Sequence, residues 1–272
     1  MQRRAFFLER EDGSARSAIH CLPAREPQAA LLLLQGLGEE LNKVRRALTQ
    51  ACLQFTEAGY AVLVLDLHGC GDSDGDFADA RWSTWQADAQ AGLAWLQERH
   101  PGTPVVAWGV RAGALIGSQL AMHHALEGQL WWQPSLQGKT VLQQWLRLGA
   151  ANGLGHGEAQ VKPAQLRAAL IAGDVVDVAG YPLHPALAAE LEAASLHCPD
   201  VPTLWLESSS QQPPALLPGS EHRIAGWPRG TVFALAVHGT APWAATELED
   251  APELTAASLR WLQQHFPQSK RL

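Results

Sequence analysis

Two glycines bracket a charged residue in Gly109-Val110-Arg111-Ala112-Gly113, directly after the apolar run Val105 to Trp108 and before an alanine- and glycine-rich segment. This is the spacing of G-x-S-x-G, where a nucleophilic serine stands on a sharp strand-to-helix turn and small neighbours let the turn close. Here the central residue is arginine. A guanidinium stays protonated and has no lone pair to offer a carbonyl, so acyl transfer through this position is excluded. An arginine at a helix start does suit an anion, because its forked donors add to the positive end of the helix dipole. The other reading is an internal ion pair with Glu39, Glu40 or Asp66, and the sequence leaves both open.

The remaining members of a hydrolytic triad are expected later in the chain, an acid first and then a histidine. Glu207 ends the apolar run that starts at Val201, and His238 directly follows Val232 to Val237, so both stand at suitable positions. A base without its nucleophile is equally a relic or a packing histidine. Cys70 and Ser73, in Asp66-Leu67-His68-Gly69-Cys70-Gly71-Asp72-Ser73, are the candidates for a relocated nucleophile, with His238 as base and Glu207 as its orienter. That alternative makes the protein an esterase, thioesterase or acyltransferase, although the glycines of this loop also serve a tight turn. The segment Gln35-Gly36-Leu37-Gly38-Glu39-Glu40-Leu41-Asn42 stands where an oxyanion-binding loop is expected. Its two adjacent carboxylates oppose an oxyanion. They pair with Arg111 or Arg45, orient a ligand amine or hydroxyl, or simply form the acidic first turn of a helix. A ligand site here would comprise Glu39, Glu40, Asn42, Arg111, Ala112, and a rim of Trp131, Trp132 and Gln133, taking a small anionic or acyl ligand. Neither metal-ligand spacing nor a cofactor motif is present, so no metal and no cofactor are expected.

The elements that must position these residues follow from hydrophobic pattern. Ala5 to Glu9 and Ser17 to Leu22 flank Asp12-Gly13 and predict an antiparallel hairpin. Ala29 to Leu34 and Tyr60 to Asp66 are continuous apolar runs separated by a helical period over Asn42 to Ala58, which is a βαβ unit of a buried parallel sheet. A helix over Trp82 to His100, a strand over Val105 to Trp108, a helix over Ala112 to Leu126 and a strand over Gln129 to Trp132 continue it. Helical stretches Thr140 to Leu148, Pro163 to Ala172 and Pro185 to Leu196, with the short run Val175 to Val178, then break the rhythm. Strands at Val201 to Glu207 and Thr231 to Val237 and a helix over Pro252 to Phe266 resume it. The expectation is an α/β-hydrolase fold: a mostly parallel, doubly wound sheet with an N-terminal antiparallel hairpin. Its core is residues 1–134 and 199–272, and residues 135–198 form a helical cap insertion whose flexible part is the glycine-rich link Gly149 to Gly157.

Composition narrows the partners. A chain of 272 residues, 47% hydrophobic, buries a full core. A net charge of −7 without a basic stripe argues against nucleic acid and anionic lipid. No run approaches a membrane span, and the N-terminus meets a charge before an apolar h-region forms, so a cytoplasmic location is expected. The four cysteines are scattered and read as free thiols. Of the 11 tryptophans, Trp82, Trp85, Trp131, Trp132 and Trp145 fall in segments expected around one cleft, where they line a pocket or pack the core.

Taken together, Glu39-Glu40-x-Asn42-Lys43-x-Arg45-Arg46, Asp66-Leu67-x-Gly69-Cys70-Gly71-Asp72-Ser73-x-Gly75-Asp76-Phe77, Trp108-Gly109-x-Arg111-Ala112-Gly113-Ala114, Trp132-Gln133-Pro134 and Val178-Ala179-Gly180-Tyr181 give the chain a family likeness. It resembles the exosortase A system-associated hydrolase 2 proteins, a branch of the α/β-hydrolase superfamily. The resemblance implies that arginine at the turn is a trait of the branch. It also implies a setting of bacterial exopolysaccharide production and PEP-type protein sorting, with proteins of that pathway as partners.

Overall fold

The computed structural model describes residues 1–152 and 161–267. It opens with β1 (Gln2–Glu9) and β2 (Ala15–Leu22), an antiparallel pair closed by a turn in which Gly13 takes φ +80°. The apolar runs become β3 (Ala30–Leu34) and β4 (Ala61–Leu65). Between them α1 (Glu39–Glu57) buries Leu41, Val44, Leu48 and Phe55, residues three to seven apart on one helical face. Then come α2 (Trp82–Arg99), β5 (Val105–Val110), α3 (Gly113–His123) and β6 (Gly128–Trp132).

The insertion follows as α4 (Gly138–Asn152), α5 (Pro163–Ala172), the hairpin β7 (Val176–Val178) and β8 (Tyr181–Leu183), and α6 (Pro185–Ala193). The core closes with β9 (Thr203–Ser209), α7 (Pro218–Ala225), β10 (Val232–His238) and α8 (Pro252–His265). Of the link expected over Gly149 to Gly157, Gly149 to Asn152 complete α4, and residues 153–157 lie outside the described residues.

Among the described residues the strands make one eight-stranded sheet, ordered β1-β2-β4-β3-β5-β6-β9-β10, and the separate β7-β8 hairpin. Pairing is antiparallel at β1-β2 and β2-β4 and parallel from β4 to β10. This is the α/β-hydrolase fold. β6 and β9 are neighbours in the sheet, so the insertion between them leaves the ladder intact. Side chains alternate across the sheet. Trp131 joins the core beneath α2, α3 and the inserted helices, while Trp132 joins the opposite core beneath α1 and α8.

Period-two geometry therefore corrects the expected tryptophan cleft. Trp85, Trp131 and Trp132 have no exposed surface, and Trp82 and Trp145 are buried beside them. Three elements were not anticipated, the first a single 3-10 turn over Phe77–Asp79. β8 is three residues long and contains Pro182, and α7 is a two-turn helix after a proline-rich stretch, so both are too short to show a period. Among the described residues no helix is long and apolar enough to cross a membrane.

Two buried polar clusters tie this frame together, although Trp108 Nε1, Gln129 Nε2 and Trp261 Nε1 are buried without a hydrogen-bond partner. Arg16 Nε lies 2.8 Å from Asp88 Oδ1, an ion pair out of line for a hydrogen bond, and Asp88 Oδ2 accepts from His68 N at 2.8 Å. That carboxylate ties α2 to β2 and to the loop after β4. His20 and His100 face each other with their Nε2 atoms 3.1 Å apart, under the edge of Trp95. One ring donates and the other accepts, so the two cannot both be protonated. Burial, with the charges of His100 and neighbouring arginines adding to it, lowers the His20 pKa from 6.5 to about 4, and burial lowers His100 as well. A lowered folded-state pKa means the native state favours the neutral rings. Their contribution is complete above pH 6.5 and declines as pH falls toward 4. Chemical denaturation at pH 7.5 and 5 should show lower stability at pH 5, with the difference reduced in His20→Phe.

Candidate functional site

The turn after β5 is built for close approach. A Cβ on Gly113 would stand 2.0 Å from the Leu34 carbonyl oxygen, and one on Gly109 2.5 Å from Ala114 Cα, so both positions require glycine. Between them Arg111 takes φ +55°, a left-handed conformation that strains a non-glycine residue by about 1–2 kcal/mol. Gln133, just past β6, is strained alike at φ +45°. The two turns hold each other. Arg111 N donates to Trp132 O at 3.0 Å, Ser135 N donates to Arg111 O at 3.1 Å, and Arg111 Nη1 donates to Gln133 O at 3.2 Å. The sharp strand-to-helix turn expected from the glycine spacing is thus present, with Arg111 at its centre.

The rest of the Arg111 side chain meets this chain's own residues. Nε and Nη2 donate to Glu40 Oε1 at 3.1 and 3.0 Å. The guanidinium carbon lies 5.8 Å from the centre of the Trp243 ring. Glu40 stands in the first turn of α1, and Gly36 lies beside both side chains. Of the three carboxylates proposed from sequence, Glu40 is the one within reach. Arg111 and Glu40 retain 16% and 26% side-chain exposure, so the pair is shielded but not sealed. Trp243 comes from the loop after β10, where a general base was expected. Sequence reasoning missed it, because that loop carries no periodic pattern.

The other candidates lie as follows. Glu207 is 1% exposed, and its carboxylate accepts from Trp205 Nε1 at 2.9 Å, Leu217 N at 2.7 Å and Ser220 Oγ. It anchors α7. His238 ends β10 exposed, paired in register with Ser209. Ser73 Oγ accepts from Ser17 N at 2.9 Å and donates to Asp66 O at 2.6 Å, fastening its loop to β2. Burial, with the nearby carboxylates of Asp66 and Asp88, pushes the Cys70 thiol up to about 12, far from a thiolate at neutral pH.

Gln133 Oε1 accepts from Ser208 N at 3.0 Å, which commits that side chain to β9. Ala112 is buried and starts α3 without a side-chain cap. Trp131 and Trp132 form no rim, for the reason of facing already given. Glu39 is half-buried in the first turn of α1, and Asn42 is exposed, its Nδ2 donating to the Tyr181 hydroxyl of β8 at 2.8 Å. Trp145 of α4 lies over Gly38. The space left between Gly38, Glu39, Trp145, Leu148, Val178 and Tyr181 is about 10 Å³, which scarcely takes one water.

The sequence profile of the serine aminopeptidase S33 family, Hydrolase_4, matches residues 25–196, more than half the chain. The chain belongs to this family. Among curated proteins none matches it. Solved structures with the same fold include Est1E from Butyrivibrio proteoclasticus with ferulic acid bound, at TM-score 0.65 and 16% identity over 96% of this chain and 99% of that one. A highly thermostable carboxyl esterase from Bacillus coagulans in complex with glycerol has TM-score 0.66 and 16% identity over 98% and 99%. The α/β hydrolase GrgF from Penicillium sp. sh18 has TM-score 0.67 and 13% identity over 98% and 99%.

For a member of a family described as serine aminopeptidases, arginine at the elbow is the departure that needs explaining. The placement of Glu207 is testable apart from any activity. Glu207→Ala leaves two buried donors, Trp205 Nε1 and Ser220 Oγ, unpaired and should lower unfolding free energy by about 2–4 kcal/mol in urea denaturation.

Proposed function

We propose that this S33-family hydrolase fold no longer carries out acyl transfer at its elbow and instead binds a small anionic or acyl ligand there. One observation carries the reading: the elbow residue is a cation already holding a carboxylate, Glu40, with Trp243 packed where a base was expected. Glu40 shows what the site is complementary to. A ligand carboxylate or phosphate reaches Arg111 by displacing this tethered competitor, whose effective concentration is on the order of millimolar or higher. Intrinsic affinity is therefore masked, and the uncapped start of α3 adds to the pull on an anion.

The likeness to the exosortase A system-associated branch, in which the arginine is expected, leads us to assign the ligand to exopolysaccharide production, in the cytoplasm. Nothing in the placement of Cys70 or Ser73 favours the relocated-nucleophile alternative. Titration with acetate and inorganic phosphate tests the proposal. Glu40→Gln should bind at least tenfold more tightly than the wild type, and Arg111→Ala should lose binding. Fluorophosphonate should label neither the wild type nor Arg111→Ser, since a serine there still faces Trp243. Labelling of either protein, or anion binding indifferent to both substitutions, overturns the reading.

A further inference from the structure

A second candidate site lies where helix α1 fails to cover the antiparallel hairpin. Arg3 of β1 pairs with Cys21 of β2, and Cys21 in turn with Val62 of β4. Directly opposed residues share a face, so Arg3 points to the α1 side of the sheet. Between that face and the flank of α1 is a cavity of about 100 Å³. Cys21, Leu33, Leu48 and Cys52 line it, together with the polar Ser17, Gln35 and Thr49. Burial raises both thiols, so they stay neutral.

The mouth is charged. Arg3 and Arg45 flank it with a single carboxylate, Asp66. Arg45 reaches Asp66 only at 3.9 Å while 48% exposed, and Asp66 also accepts from Gln35 Nε2 at 3.4 Å. Among the described residues Arg3 has no carboxylate within salt-bridge distance. Its side chain lines the cavity beside Cys21 and Cys52.

An apolar cavity of about 150 Å³ holds a benzene ring. One of about 100 Å³ takes a shorter aliphatic chain. The surplus of positive charge at the mouth calls for one negative head group on that chain. We propose that this cavity binds a small aliphatic monocarboxylate, its tail among Leu33, Leu48 and Cys52 and its carboxylate beside Arg3 and Arg45. The site is separate from the elbow, shares none of its residues, and stands whether or not the elbow binds anions.

Butyrate is the probe, with acetate, 1-butanol and butylammonium as controls, read by saturable thermal stabilisation and calorimetry on the full chain. Butyrate should bind, acetate at least tenfold more weakly for want of a tail, and the two uncharged or cationic analogues not at all. The double variant Arg3→Ala/Arg45→Ala, at exposed positions, should weaken butyrate at least tenfold. Leu48→Phe, which fills the cavity, should also lose it, and Arg111→Ala should leave it unchanged. The proposal is overturned if butyrate does not bind, if 1-butanol or butylammonium binds equally well, or if Arg111→Ala removes butyrate binding and Arg3→Ala/Arg45→Ala does not. That last result points to the elbow alone. The elbow reading is judged separately, by phosphate binding to Glu40→Gln.

Discussion

Where β5 and β6 end, two residues in left-handed conformations, Arg111 and Gln133, are clamped together by backbone hydrogen bonds. Strain of this kind persists only where the surroundings over-determine it. The surroundings here include most of the site. Gly113 lies against the Leu34 carbonyl and fixes the start of α3 on the end of β3. Gln133 N donates to Leu206 O at 2.7 Å and its side chain takes Ser208 N, which fastens β9 to the same point. Ser135 N, bonded to Arg111 O, sets the direction in which the chain leaves for the inserted helices. A looser elbow would release several elements at once, which is why its geometry is so tightly determined.

A cation at that point imposes conditions that a serine does not. A largely buried guanidinium with no partner would carry a desolvation penalty of several kcal/mol. Three groups meet the requirement: the Glu40 carboxylate, the Gln133 carbonyl and the Trp243 ring. Glu40 comes from the first turn of α1, Gln133 from the turn after β6 and Trp243 from the loop after β10, so three separate segments converge to neutralise and shield Arg111.

Much of this was legible in the residues. The elbow was visible because glycine spacing reports a steric demand directly, and the parallel strands because burial on both faces leaves continuous apolar runs. The facing of Trp131 and Trp132 was also implicit, since neighbours in a strand point opposite ways; grouping both at one rim set that rule aside. Glu207 misled for a different reason. An acid at the end of the expected strand matches a triad position, but its role depends on α7, a helix too short to show a period. Ser73 is similar, its hydroxyl claimed by β2 through a contact 56 residues away in sequence. Trp243 lay in a loop where only three-dimensional proximity identifies a partner.

The arginines of this protein show how little the residue type decides by itself. Arg16 is fully buried against Asp88 and serves the frame. Arg111 sits at the functional end of the sheet, yet its charge is matched internally, so any anion there competes with a carboxylate that never diffuses away. Arg3 and Arg45 are the more exposed, and they line a cavity whose one carboxylate, Asp66, lies 3.9 Å from Arg45. Affinity for an outside anion follows the unmatched charge and the apolar surface beside it rather than proximity to the inherited active site. On that criterion a ligand added to the free protein meets less internal competition at the hairpin cavity than at the elbow.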